Sequence, residues 1–195
     1  MTANSIKDQI SGPQSSNLTT LLDRNWSFAH KFEAGGLTIR PRMSTIILTC
    51  VDSRVDPAHV LGLELGDAVV ICNAGGRITP AVLGDLAVLG VLAANMPGAG
   101  AMQPELVVIQ HTDCGMSRLA VPAIREQVAN KLGLSDKEVT TMAITDPVAS
   151  VRKDIEQLRQ TPGTPDRLVV FGFVYDVTNG AINQVVSPAP LRAAI

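Results

Sequence analysis

Aromatic side chains are nearly missing from this 195-residue chain: one Trp, one Tyr and four Phe, 3% in all. That is too few to build a base-stacking platform, and no Lys/Arg cluster offsets the net charge of −2. Nucleic-acid binding is therefore not expected. Long apolar runs are lacking too. Although 46% of residues are hydrophobic, none of the runs reaches the ~18 residues that a membrane span requires, so no membrane association is expected. The opening MTANSIKDQISGPQSSN has neither the basic start nor the apolar stretch of a secretory signal. Cysteine is scarce and odd in number, at three, which does not fit a secreted disulfide framework. A cytoplasmic location is the default expectation, and there cysteines serve as ligands, nucleophiles or small core residues.

What is present is a set of short β-branched runs separated by helical patterns. TIILTC (45–50), AVVICNA (68–74), ELVVIQH (105–111) and RLVVFGFVYDV (167–177) read as strands. The Asn179-Gly180 turn then leads to AINQVV (181–186), a hairpin partner at the sheet edge. Helices are expected over 79–96, 115–132 and 146–160. Strands this continuously apolar, alternating with helices, indicate an α/β fold. Residues 18–34 carry Leu18, Leu21, Leu22, Trp26, Ala29 and Phe32 (or Phe28) at helical spacing, with Asn17 as a cap and Gly35-Gly36 as a stop. The organisation expected is a flexible arm over 1–17, then one α/β domain over 18–195 whose first helix packs partly on a partner subunit.

The polar residues that break this pattern sit at strand ends. Cys50-Val51-Asp52-Ser53-Arg54 follows the first strand, and His111-Thr112-Asp113-Cys114-Gly115 closes the third. Ligand sites in open α/β sheets gather beyond the carboxyl ends of strands. Two thiolates and an imidazole make a zinc set, and three protein ligands leave a fourth position for water or a carboxylate. Thiolates favour zinc over magnesium or calcium, although iron or cobalt fits similar geometry. Zinc brings the pKa of bound water from ~15.7 toward ~7. Asp52, two residues from a ligand, is placed to orient that water or to take the fourth position itself. Arg54 can grip the Asp52 carboxylate and hold it off the metal.

These segments, with Asn73-Ala74-Gly75-Gly76-Arg77 between them, resemble the β-class carbonic anhydrase family. The resemblance runs from Ile46 to Gly115 and resumes at FGFVYDVTNGAI (171–182). It implies one zinc per subunit on Cys50, His111 and Cys114, and an Asp52–Arg54 dyad in which Asp52 is a fourth ligand in a closed state. It further implies a parallel four-stranded sheet extended by an antiparallel edge strand, flanked by helices, with an N-terminal helical arm and assembly as a dimer or tetramer. The implied reaction is reversible hydration of carbon dioxide to bicarbonate by a zinc-bound hydroxide. Carbonyl sulfide and carbon disulfide are linear analogues, so hydrolysis of either on the same site is the alternative. The resemblance departs at Ile47 and Cys72, where many relatives carry Trp and Arg, so the regulatory bicarbonate site built on those residues is not implied. Pro41 stands where plant-type relatives place a substrate-side Gln.

Other residues have two readings each. Ala74, Gly75 and Gly115 are candidates for the substrate pocket, or simply supply turns. Asp113 either orients a ligand or forms a turn. Arg77 contacts a neighbouring subunit or caps its loop. His30 and His59 can shuttle protons or be solvated surface residues. Cys72, within a strand, reads as a small core residue. A non-catalytic zinc-binding or regulatory module is the reading from another class, and a closed set of four Cys/His ligands, typical of structural zinc, is not available here.

Overall fold

The computed structural model describes residues 16–33, 35–100, 102–164 and 167–192; the arm expected over 1–17 lies outside them except for residues 16 and 17. Contacts group the chain into two compact units, 1–37 and 38–195. The first contains α1 (Ser16–Ala29), in which Asn17 lies inside the helix rather than capping it.

The second unit is built on a five-stranded sheet: β1 (Thr45–Cys50), β2 (Ala68–Asn73), β3 (Glu105–His111), β4 (Val169–Tyr175) and β5 (Ile182–Pro190). The strand order is β2-β1-β3-β4-β5. The first four strands run parallel, and β5 returns antiparallel to β4. The order reverses at β1, whose two neighbours are β2 and β3. β5 extends past the expected 186 to Pro190. Prolines are tolerated there because an edge strand has one row of backbone groups without ladder partners.

Helices fill the crossovers: α2 (Pro57–Val60), α3 (Pro80–Ala94), α4 (Pro122–Leu132), α5 (Asp136–Met142) and α6 (Pro147–Gln160). Three of them start by the same rule. Asp56, Thr79 and Asp146 each accept a backbone N–H from the first turn, and the Pro that follows occupies a position needing no donor. The single helix expected over 115–132 is broken. Gly115–Ala120 is a 3-10 turn, Val121 is extended (ψ 118°), and α4 starts at Pro122. Proline disfavours helical backbone at the residue before it, which is why the break falls there.

The main core lies between the sheet and the helices. From α6, Val151, Ile155 and Leu158 are fully buried in the same cluster as Leu106, Val108 and Val170. A Cβ on Gly172 of β4 would come within 2.6 Å of Val151 Cγ1 and 2.8 Å of Ile155 Cδ1, so the glycine is what lets α6 sit this close. The outer strand β2 departs from expectation. Val70 and Cys72 are exposed, so Cys72 is a surface residue rather than a core one. Among the described residues, nothing packs over the face of β2 that carries Val70 and Cys72.

Candidate metal centre

β1 and β3 pair in parallel from Thr45↔Glu105 to Leu48↔Val108, so their carboxyl ends emerge side by side. Cys50 ends β1, His111 ends β3, and Cys114 follows in the turn after β3. The ligand atoms of these three residues all lie within 4.8 Å of one another. Fractional exposure is 6%, 1% and 4% respectively, which shields the cluster from bulk water. No other group of three or more metal-competent side chains occurs among the described residues.

The donor chemistry suits a metal. His111 Nδ1 lies 2.8 Å from the Thr112 carbonyl, which is an acceptor only, so Nδ1 carries the proton and Nε2 presents a lone pair. That Nε2 is buried without a hydrogen-bond partner. A buried polar nitrogen with no partner is costly, and a cation beside two sulfurs supplies what it lacks. The two thiols share a proton. Donation from Cys114 pulls the Cys50 thiol far down, against the effect of burial, and His111 and the Asp52 and Gly75 amides assist. The same sharing, followed by burial, pushes Cys114 up. Burial draws His111 down, but Cys50, the Thr112 carbonyl and the Asp52 charge outweigh it and leave it raised. A soft divalent cation that displaces the shared proton fits this set, as zinc does.

The residues after β1 form a tight charged turn. Arg54 Nε donates to Asp52 Oδ1 at 2.9 Å, Nη2 to Oδ2 at 2.8 Å, and the Arg54 amide to Oδ1 at 3.0 Å. Both carboxylate oxygens are therefore on Arg54, while Oδ2 is still only 3.9 Å from His111 Nε2. The Arg54 side chain, then its amide, hold the Asp52 carboxyl well below the usual range. Arg54 has a second grip: Nη1 donates to Asp113 Oδ2 at 2.8 Å and Nη2 to the Asp113 carbonyl at 3.0 Å. Asp113 thus faces the arginine rather than His111. It holds a left-handed conformation, φ 53°, which Asp tolerates better than most residues.

The turn after β2 forms another wall. The Asn73 side chain closes it, donating to the Arg77 carbonyl and accepting from the Arg77 amide, both at 2.8 Å. Inside it the Gly75 amide donates to Cys50 Sγ at 3.3 Å. Gly75 is buried, whereas Ala74 and Gly115 are exposed. Apolar neighbours of the two cysteines are Val55, Ile144, Met116, Tyr175 and Val177. His59 is exposed and 3.6 Å from Asp56, and exposed His30 has Nδ1 2.8 Å from the Trp26 carbonyl.

Arg77 points inward to Asp154 of α6, an interaction that was not expected from sequence. A signal for it exists. Asp154 lies in the stripe Val151, Asp154, Ile155, Leu158, at helical spacing on the buried face of α6, and a carboxylate there must have a partner.

Comparison with known proteins agrees with this geometry. The carbonic anhydrase family model matches residues 45–160, more than half the chain and both ligand segments. The chain is 29% identical over 164 residues to Beta-carbonic anhydrase 1 of Mycobacterium tuberculosis, covering 84% of this chain and 94% of that protein. It is 26% identical over 167 residues to the carbon disulfide hydrolase of Acidianus sp., covering 72% and 78%. The crystal structure of carbonic anhydrase from Streptococcus mutans aligns with a TM-score of 0.71 and 31% identity, over 89% of this chain and 100% of that one. Family match, fold and the meeting of two distant cysteines with one histidine converge: this chain belongs to the carbonic anhydrase family, in its β class.

Proposed function

We propose that the protein hydrates carbon dioxide reversibly to bicarbonate, using one zinc ion held by Cys50, His111 and Cys114. The observation that carries this reading is an Asp52 carboxylate held by Arg54 beside the Cys50, His111 and Cys114 cluster; a cation held by those three side chains would keep a fourth position for a reactant. When bound, zinc supplies a Lewis acid that brings the ionisation of water near neutral pH. The remaining work falls to the chain. The Cys50, His111 and Cys114 side chains hold the cation in a dry setting. Asp52, kept ionised by Arg54, accepts a hydrogen bond from the attacking water and fixes its direction. Val55, Ile144 and Met116 pack around the two cysteines, an apolar surrounding suited to a linear, uncharged molecule. Carbon dioxide and water yield bicarbonate and one proton, and exposed His59 is our candidate to pass that proton on.

The pocket residues proposed are Gly75, Ala74 and Gly115. Asp52 is the proposed fourth ligand in a closed state, with Arg54 as the switch. Two ligand thiolates require reduced cysteine, which supports the cytoplasm as the working compartment. No helix among the described residues is long and apolar enough to cross a membrane. Self-association as a dimer or tetramer is supported by the open face of β2 and by exposed Val88, Val91 and Leu92 on α3.

The same apolar surrounding suits carbon disulfide or carbonyl sulfide, and a carbon disulfide hydrolase is among the relatives. Stopped-flow rates with all three substrates, beside metal analysis, test both readings. We expect fast turnover of carbon dioxide at one zinc per chain. Asp52→Asn and Arg54→Ala should keep zinc and lose about 10²-fold or more in rate, the usual loss when a positioned acceptor is removed. Near-normal rates in either variant would sink the dyad. Turnover of carbon disulfide alone would transfer the assignment to the hydrolase, and a zinc-loaded chain inert to all three would make it a non-catalytic zinc module.

A further inference from the structure

We propose that Asp154 is a positioning residue for the metal centre: through Arg77 it holds the turn at 73–77 so that the Gly75 amide stays on the Cys50 sulfur. The inference rests on the reading of Cys50, His111 and Cys114 as metal ligands. Asp154 is 0% exposed and shares its helix face with Val151, Ile155 and Leu158, also at 0%. A carboxylate there is tolerated only if nearly every lone pair is used.

The donors that use them come from segments leading to the ligands. Arg77 Nε donates to Oδ2 at 2.8 Å and Nη2 to Oδ1 at 2.9 Å. The Ile78 amide donates to Oδ2 at 3.2 Å. Gln110, the residue before His111, donates from Nε2 to Oδ2 at 3.1 Å. The remaining arm of Arg77 reaches the Thr141 and Met142 carbonyls at the end of α5. One carboxylate therefore ties α6 to the end of β3 and to the turn beside Cys50. The turn has little freedom to compensate. Gly76 lies against the Ile109 carbonyl and the Cys50 amide, and Asn73 clamps both ends.

An amide bonded to a ligand sulfur orients it and draws off part of its charge, which tunes the metal it binds. Such outer partners typically carry a 10- to 100-fold effect on metal affinity. A buried ion pair adds little to stability beyond what well-packed apolar residues of like volume would give. Its directional grip on the turn is what those residues cannot reproduce.

The test compares wild type, Asp154→Asn and the double variant R77M/D154L by zinc competition with a colorimetric chelator, thermal melting, and the sulfur-to-metal charge-transfer band of the cobalt(II)-substituted proteins. Asp154→Asn should lose about 10- to 100-fold in zinc affinity and shift the cobalt band. R77M/D154L should regain most of the melting temperature but not the zinc affinity or the band. Ile155→Val, a packing change on the same helix face, should lower the melting temperature while leaving zinc affinity unchanged. Wild-type zinc affinity and cobalt spectrum in R77M/D154L would overturn the inference while leaving the metal reading standing. If neither Asp154 variant folds, the pair is a folding determinant and the positioning role falls. A wild-type chain that takes up no zinc refutes the metal reading itself, and this inference with it.

Discussion

At the scale of single residues, the centre depends on how charge is held near Asp52. Arg54 is gripped by Asp52 through a two-point contact and by Asp113 at the turn after β3. The two grips differ in weight. The Asp113 side chain is 77% exposed, and an ion pair in water is worth only ~0.2–1 kcal/mol. Asp113→Ala should therefore slow turnover less than ~5-fold, the factor that 1 kcal/mol allows, whereas removal of Asp52 itself should be far more damaging. A hundredfold loss in steady-state rate for Asp113→Ala would show that its turn geometry, not its charge, matters. Away from the site, Asp67 accepts from the Glu64 amide at 2.8 Å and from Arg42. The Glu64 amide first, then Arg42, hold its carboxyl below the ordinary value of 3.8. A depressed carboxylate stabilises the fold fully above its ordinary value and loses that contribution as pH falls through the lower, folded one. Wild type should thus lose stability on acidification below about pH 4, and Asp67→Asn should flatten that part of the denaturation profile. An unchanged profile would remove Asp67 from the account.

At the scale of elements, backbone proximity governs the turn after β2. A Cβ at Gly76 would lie 2.8 Å from the Ile109 carbonyl oxygen and 3.0 Å from the Cys50 amide nitrogen, at φ +62°. Those neighbours are backbone atoms of two sheet strands and cannot yield. Gly76→Ala should cost roughly 2–5 kcal/mol from overpacking and strained φ combined, measured by denaturant unfolding, and should weaken zinc binding as well. A loss below about 1 kcal/mol would mean that the strands part more easily than this packing implies. How much of the elements the sequence shows also depends on local physics. β1 and β3 are legible because their β-branched runs match buried strands. α5 was not expected, since only Val139 among its seven residues is buried and no apolar period is visible. Its capping box, Ser135 with Glu138, was the available signal. α2, four residues after Asp56-Pro57, is too short for any periodicity to appear.

At the scale of the whole molecule, the decisive fact is the order β2-β1-β3-β4-β5. It sets β1 beside β3, so Cys50 meets His111 and Cys114, 61 and 64 residues further along the chain, at one end of the sheet. The same order leaves β2 at an edge and α3 with exposed Val88, Val91 and Leu92. Apolar surface concentrated in this way is characteristic of an interface. Wild type should sediment as a dimer or tetramer, and Val91→Glu should shift it toward monomer with the sheet intact by circular dichroism. A monomeric wild type would remove this reading of the face.

Chemistry and local conformation were largely determined by sequence. Thiol, imidazole and carboxylate types, their closeness in C-V-D-S-R and H-T-D-C, and the strands that carry them are local properties of neighbouring residues. Partnership was decided only by the tertiary structure. Arg77 had an open choice of contacts in the sequence and takes the buried Asp154. Asp113 turns to Arg54 rather than to His111. Cys72, in a strand as apolar as any core strand, is exposed with Val70 on the same face of β2, where no described element packs over them. Side-chain type is a property of one residue. A salt bridge, a close backbone approach or an open edge depends on which distant segments share space, and that is settled when the strands take their order.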